Sequence, residues 1–368
     1  MERKYWIASP VAGFALALFG GSIAFGADDS APPGRSIAYA LTDLKWAVYE
    51  SKDAKEECAH GVGLLGPREQ FKEQFPDDGT ERKLVDTELA REVDVWWPNT
   101  KADPFAFSEA SGKTGIGLNL DGKIKPTDFT SPDGKPGIDN QLYRVIGCIR
   151  NYRVGSTYYI IEHNYFRKMR INRIMIELTD VDSLVNDNDV TLTTYRGMDD
   201  LMYDATGNSY QPGATERLDL RWGKIFIRRA KGKIVNGVLT TQPVDLAFPR
   251  EVSFQDATVD WLRDGRFEVK LTPERGEGLI GGYADIESIY NNRNRQASSH
   301  HASYGQQAQA SFYKQLRKWA DAYPDPDTGE NTAISAAYTV KLVQVRALRP
   351  DKPVASAPAK QFAENAAK

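Results

Sequence analysis

Between Asn119 and Asn140 the chain runs NLDGKIKPTDFTSPDGKPGIDN, which gathers Asn119, Asp121, Asp128, Asp133 and Asp139 around two Asp-Gly turns, Asp121-Gly122 and Asp133-Gly134. Carboxylates at this density repel one another unless solvent or a cation lies between them. The interspersed Gly and Pro residues exclude a long helix or strand, so the segment must wind. Hard cations are bound by oxygen ligands in loops of this kind, and calcium is the cation expected of these five residues. A second acidic group, Asp182, Asp187 and Asp189 beside Asn188, falls between two predicted strands and offers a less complete site of the same chemistry.

With Gly122 as the sixth residue of an EF-hand loop, Asn119, Asp121, the Lys123 carbonyl and Asp128 take the third, fifth, seventh and twelfth positions. Gly117 then brings no side-chain ligand to the first position, Asp128 is shorter than the usual bidentate Glu, and Pro126 interrupts the helix that should follow. An EF-hand is therefore not expected. The later half, Ser131-Pro-Asp-Gly-Lys-Pro-Gly-Ile-Asp139-Asn140, resembles the DxDGxxDxxDN loops of thrombospondin type 3 calcium repeats, with Ser131 where that pattern begins with Asp. The resemblance is confined to this stretch and implies calcium ligation there. The alternative is a surface loop rich in Asx turns whose carboxylates face water.

Other chemistry is sparse. The histidines are His60, His163, His300 and His301, and the adjacent last two point apart on any regular element. The chain has no G-x-S-x-G elbow, Walker loop, dinucleotide fingerprint or H-E-x-x-H motif. Its two cysteines, Cys58 and Cys148, form neither CxxC nor CxxCH, so a thiol oxidoreductase, a Cys-based zinc site and covalent haem are not expected. In an oxidising compartment the pair is expected to form a disulfide, which in the chain-entropy model stabilises by about 4 kcal/mol. A net charge of -3 leaves no basic field to recruit nucleic acid, despite local runs such as Phe166–Arg173.

The elements that must hold these residues follow from periodicity. Glu2-Arg-Lys4, an uncharged apolar run from Trp6 to Phe25 and small residues at Ala24, Gly26 and Ala27 predict a secretory signal peptide over 1–27, hence a periplasmic or extracellular protein. An uncleaved anchor is the alternative there; no later run is apolar enough to cross a membrane. Residues 28–36 form a leader. Residues 37–150 are expected to be helices and loops carrying the acidic loop and packed on the core. Short helices are predicted at 54–60, 66–75 and 84–90, then the aromatic Asp94-Val-Trp-Trp-Pro98, then a helix through about Ile149 capped by Asp139-Asn140.

Strands dominate 151–348: 158–163, 173–179, 190–195, 217–228, 234–240, 244–248, 259–262, 267–271 and 338–347. A glycine-rich break at 276–282, a helix at 283–290 and another at 305–322 interrupt them, and 349–368 is a disordered tail. The fold class is mainly β (α+β): an antiparallel β-sandwich or jelly roll with short accessory helices. The function expected is an exported, non-catalytic binding protein for a glycan, envelope component or protein partner. Two alternatives are a hydrolase with carboxylates along a cleft and an accessory subunit of an envelope complex.

Overall fold

The computed structural model describes residues 35–59, 61–62, 107–155, 170–250, 258–292 and 309–350. The predicted signal peptide, the helices at 66–75 and 84–90, Trp96 and Trp97, the strand at 158–163, all four histidines and the tail beyond Pro350 lie outside the described residues. Among the described residues, no helix is long and apolar enough to cross a membrane.

The chain is mostly β, with few short helices. Its strands are β1 (Ile37–Trp46), β2 (Ile174–Thr179), β3 (Asp187–Arg196), β4 (Ala214–Arg217), β5 (Arg228–Val235), β6 (Val238–Thr241), β7 (Val244–Arg250), β8 (Thr258–Leu271), β9 (Arg275–Asp285), β10 (Ala322–Pro324) and β11 (Asn331–Leu348). Among the described residues the expected stacking of two sheets is not seen. The ladders form one sheet in the order β1-β2-β3-β5-β6-β8-β9-β11, every neighbour antiparallel, and β11 pairs back onto β1 from Ala38↔Val345 to Trp46↔Tyr338. Closure of this kind removes the exposed strand edges that an open sheet must otherwise protect. Strands β4 and β10 attach to β11, and β7 continues the line of β6 along β8.

Alternation fills the interior. Leu41, Ile176, Leu192, Ile234, Val269 and Leu342, one from each of six strands, are buried in one apolar cluster. Helices α1 (Gln141–Ile146) and α2 (Gln309–Trp319) add Leu142, Val145, Phe312 and Leu316 to it, beside Trp46 stacked on Tyr338 at 3.9 Å. A second cluster covers the outer face of β1, β2 and β11 with Leu201, Tyr210 and Leu218, from the excursion between β3 and β5.

Several elements depart from the sequence pattern for identifiable reasons. Asp264-Gly265 does not separate two strands: Arg263↔Tyr283 and Arg266↔Gly281 bracket a one-residue bulge inside the continuous β8. Asp264 takes φ 50°, the left-handed conformation that Asp tolerates both in hairpin turns and in bulges. The glycine-rich 276–282 is not a break but the middle of β9. A Cβ on Gly278 would lie 2.2 Å from the Glu268 carbonyl oxygen, so close approach of β8 dictates glycine there. The predicted strand 217–228 holds only the end of β4 and the first residue of β5. Between them the Asp219 carboxylate accepts from the Arg221 amide and winds Leu220–Trp222 into a 3-10 turn. Residues 54–57 form a turn, with one helical bond from the Cys58 amide to the Ala54 carbonyl. Val235 and Val238 end two strands joined by Asn236-Gly237, and the helix predicted at 283–290 runs over 286–292.

Candidate functional site

The acidic loop lies on the outer wall of the barrel and is fastened from both sides. Cys58 and Cys148 form a disulfide, Cα to Cα 5.7 Å, that ties the 51–62 segment to the end of α1. Asn140 donates its amide to the Ala47 (3.0 Å) and Ile116 (2.7 Å) carbonyls and makes no side-chain cap on α1, contrary to expectation. Arg144 reaches the Ala110 and Gly112 carbonyls at 3.0 and 2.7 Å with its guanidinium 3.9 Å over the Phe129 ring. A Cβ on Gly281 of β9 would touch Leu118 and Leu120, so the sheet leaves room there for the loop to seat.

Within that frame the acidic side chains act first on their own backbone. Asp139, 2% exposed, accepts the Leu120 amide at 2.6 Å and the Asp121 amide at 3.3 Å. Burial pushes its carboxyl up to about 6; the two amides pull against this, and the charges of Asp121 and Asp128 add to it. Asn119 accepts from the Gly122 amide at 2.7 Å and donates to the Lys123 carbonyl at 3.0 Å. Asp128 accepts the Lys125 amide at 2.6 Å, and its other oxygen is buried without a hydrogen-bond partner. Asp121 accepts the Lys123 amide at 2.8 Å and pairs with the Lys125 ammonium at 2.5 Å. Burial raises the Asp121 carboxyl, but the bond from Lys125 outweighs it and holds it low. Lys125 is raised in turn, by Asp121 first and by Asp139 and Asp128 at longer range. Lys125 thus contacts Asp121 and lies within longer electrostatic reach of Asp139 and Asp128, while Asn119 is spent on the neighbouring turn. Asp133 stands apart, exposed, bonded to the Ser131 hydroxyl and paired with Lys135 at 3.0 Å.

The second acidic group is an Asx turn. Asp187 accepts the amides of Asp182 (2.7 Å), Ser183 (3.3 Å) and Asp189 (3.2 Å), and Asp189 pairs with Lys231 of β5 at 2.7 Å. Among the described residues, no three His, Cys, Asp or Glu side chains converge as a metal-ligand group.

A groove of about 510 Å³ runs between the loop and the outer face of β6, β8 and β9. Ile116, Asn119, Pro132 and Lys135 form its loop side; Thr240, Arg266 and Leu279 form its sheet side. Alternation alone does not single out Arg266 or Leu279, and only the Asp264-Gly265 signal beside Arg266 hinted that β8 does something irregular. A buried pair also went unforeseen. Glu216, 0% exposed, lies beside Arg173, accepts the Asp199 amide at 2.7 Å and is pushed by burial to about 7. A Cβ on Gly197 would strike both side chains. No protein-family model, no curated protein and no solved structure matches this chain.

Proposed function

We propose that this is an exported, non-catalytic binding protein, periplasmic or extracellular, whose ligand seats in the groove between the acidic loop and the barrel wall. The observation that carries the reading is the groove itself, of a volume typical of small-molecule sites. Its loop wall is fixed by the disulfide, by Asn140 and by Arg144, which gives a ligand a preformed surface. The acidic side chains support binding over hydrolysis, since each is engaged through at least one oxygen with loop amides or lysines. A glycan or another envelope component of one or two rings fits the volume; a short segment of a protein partner is the alternative occupant. Calcium belongs to this reading only as a stabiliser of the loop, and it would have to displace Lys125 from Asp121 to act as one.

The test is titration of the purified protein with neutral and acidic mono- and disaccharides and with muropeptides, read by calorimetry and by melting. Thr240→Trp fills the groove from the sheet side and is expected to abolish binding while leaving the barrel folded. Ligand binding that is indifferent to Thr240→Trp, or a panel that binds nowhere, would sink the reading. Export is tested separately by intact mass of the protein recovered outside the cytoplasm, with Met1 retained as the adverse result.

A further inference from the structure

Arg266 is a cation of the groove that no ion pair among the described residues completes. The bulge at Asp264-Gly265 shifts the register of β8 by one residue and sets Arg266 opposite Gly281, on the outer face where Leu118 and Leu120 of the loop fill the space beside that glycine. Its Nε is buried without an acceptor, and among the described residues no carboxylate pairs with it. Tyr283, which feels the Arg266 charge, is kept neutral by burial and supplies no counter-charge. Of the other charges of the groove, Lys135 is bonded to Asp133, and the exposed Glu268, two residues along β8 from Arg266, acts on Lys135 at longer range without an ion pair. Asn119 and Ser131 spend their side chains inside the loop. What remains open is one half-buried cation, its Nε without an acceptor, between the apolar faces of Ile116, Pro132, Pro136 and Leu279.

We propose that Arg266 makes this groove a carboxylate site, and that the ligand is a small organic monocarboxylate with an apolar face. The inference rests on the binding reading above and adds the chemical class of the ligand. A guanidinium is weakly hydrated and matches a carboxylate in shape and charge, and a single cation suits a single negative charge. The same chemistry arises from a free aliphatic acid or from a sugar acid, so both are probed.

Affinities of hexanoate against hexanamide, and of glucuronate against glucuronamide, are measured by calorimetry on the full mature protein, its Arg266→Gln variant and its Thr240→Trp variant. The acid of at least one pair is expected to bind about tenfold tighter than its amide or better, as a charge-assisted bond should give. Which acid does so identifies the source. Arg266→Gln is expected to erase the preference while the melting temperature holds, because the half-buried guanidinium has no ion pair among the described residues to lose. Acid and amide binding equally well would overturn the role of Arg266 and leave the groove standing. Loss of all binding, with Thr240→Trp silent, would take the groove with it. A lowered melting temperature with the acid preference intact would make Arg266 structural.

Discussion

Asp139 and Asp187 do the same job in two places and respond to it in opposite directions. Each is an aspartate that gathers backbone amides to wind a loop, Asp139 with two and Asp187 with three. Burial nevertheless drives the Asp139 carboxyl up to about 6, whereas the Asp182 amide, unopposed by deep burial, holds Asp187 below the usual carboxylate range. Amide bonds favour the ionised form in both, so the difference is set by what surrounds them: the barrel wall and two further carboxylates in one case, water in the other. A fold can therefore use the same turn chemistry as a solvated tie or as a titratable one, according to where the loop is laid.

The largest expected effect separates the two loops by their anchorage. The disulfide encloses the Asp139 loop and leaves the Asp187 loop outside its span. Replacing Cys58 and Cys148 by serine is expected to lower global stability by about 4 kcal/mol. In hydrogen exchange the Leu120 and Asp121 amides should lose protection far more than those of Asp182 and Asp189. Equal loss at both loops would show that the bridge does not hold the first one in particular.

Next in size is removal of each carboxylate. Asp139→Ala strands two amides against the barrel wall and is expected to cost about 2–4 kcal/mol in denaturant unfolding, while Asp187→Ala, in reach of water, should cost about 1 kcal/mol or less. Similar costs would break the contrast.

Acid titration sharpens it through sign. A carboxyl raised in the native state stabilises when protonated. The contribution of Asp139 is therefore complete below about pH 4, its unfolded value, and is lost as the pH rises through about 6. Asp187, lowered in the native state, contributes above its unfolded value and loses that contribution as the pH falls through its folded one. Asp139→Asn should flatten the decline in stability between pH 4 and 6, leaving a residual slope of the same sign from Glu216, which burial holds at about 7. An unchanged profile in Asp139→Asn would mean that the carboxyl is not raised.

The smallest effect concerns cations. Lys125 already sits on Asp121, so millimolar calcium is expected to leave the wild-type melting temperature nearly still. Lys125→Gln removes the resident charge, and calcium should then raise the melting temperature by a few degrees, as a ligand in excess does. An equal shift in the wild type would assign calcium to the native loop after all.

How far the sequence could be followed depended on whether the cause of each feature was local. Strands β2, β3 and β7 were legible because alternation is written in consecutive residues, and so was the cysteine pairing. The acidic density of the 119–140 loop was plain as well. Its counter-ion was not, since Lys125 inside the same loop looks like any surface lysine until the chain is wound. Asp264-Gly265 is ambiguous in principle, the same left-handed residue serving a hairpin or a bulge. Gly278 and Gly281 required the partner strand and the seated loop to be known, both distant in sequence. Arg266 is significant only for the bonded partner it lacks, which no spacing of residues expresses.

The pairing of the first strand with the last has a consequence in time. Leu41 and Leu342 are neighbours across a ladder although roughly 300 residues lie between them. Contacts so distant form late and slowly, because the intervening chain must be gathered before they return any stability. Until β11 arrives, β1 and β9 each present a bare hydrogen-bonding edge, the surface on which nascent chains stick to one another. During synthesis the protein is thus an open, unlatched ribbon that its final strand alone can shut, and a nascent chain stopped before Asn331 is expected to be a client for chaperones rather than a smaller barrel.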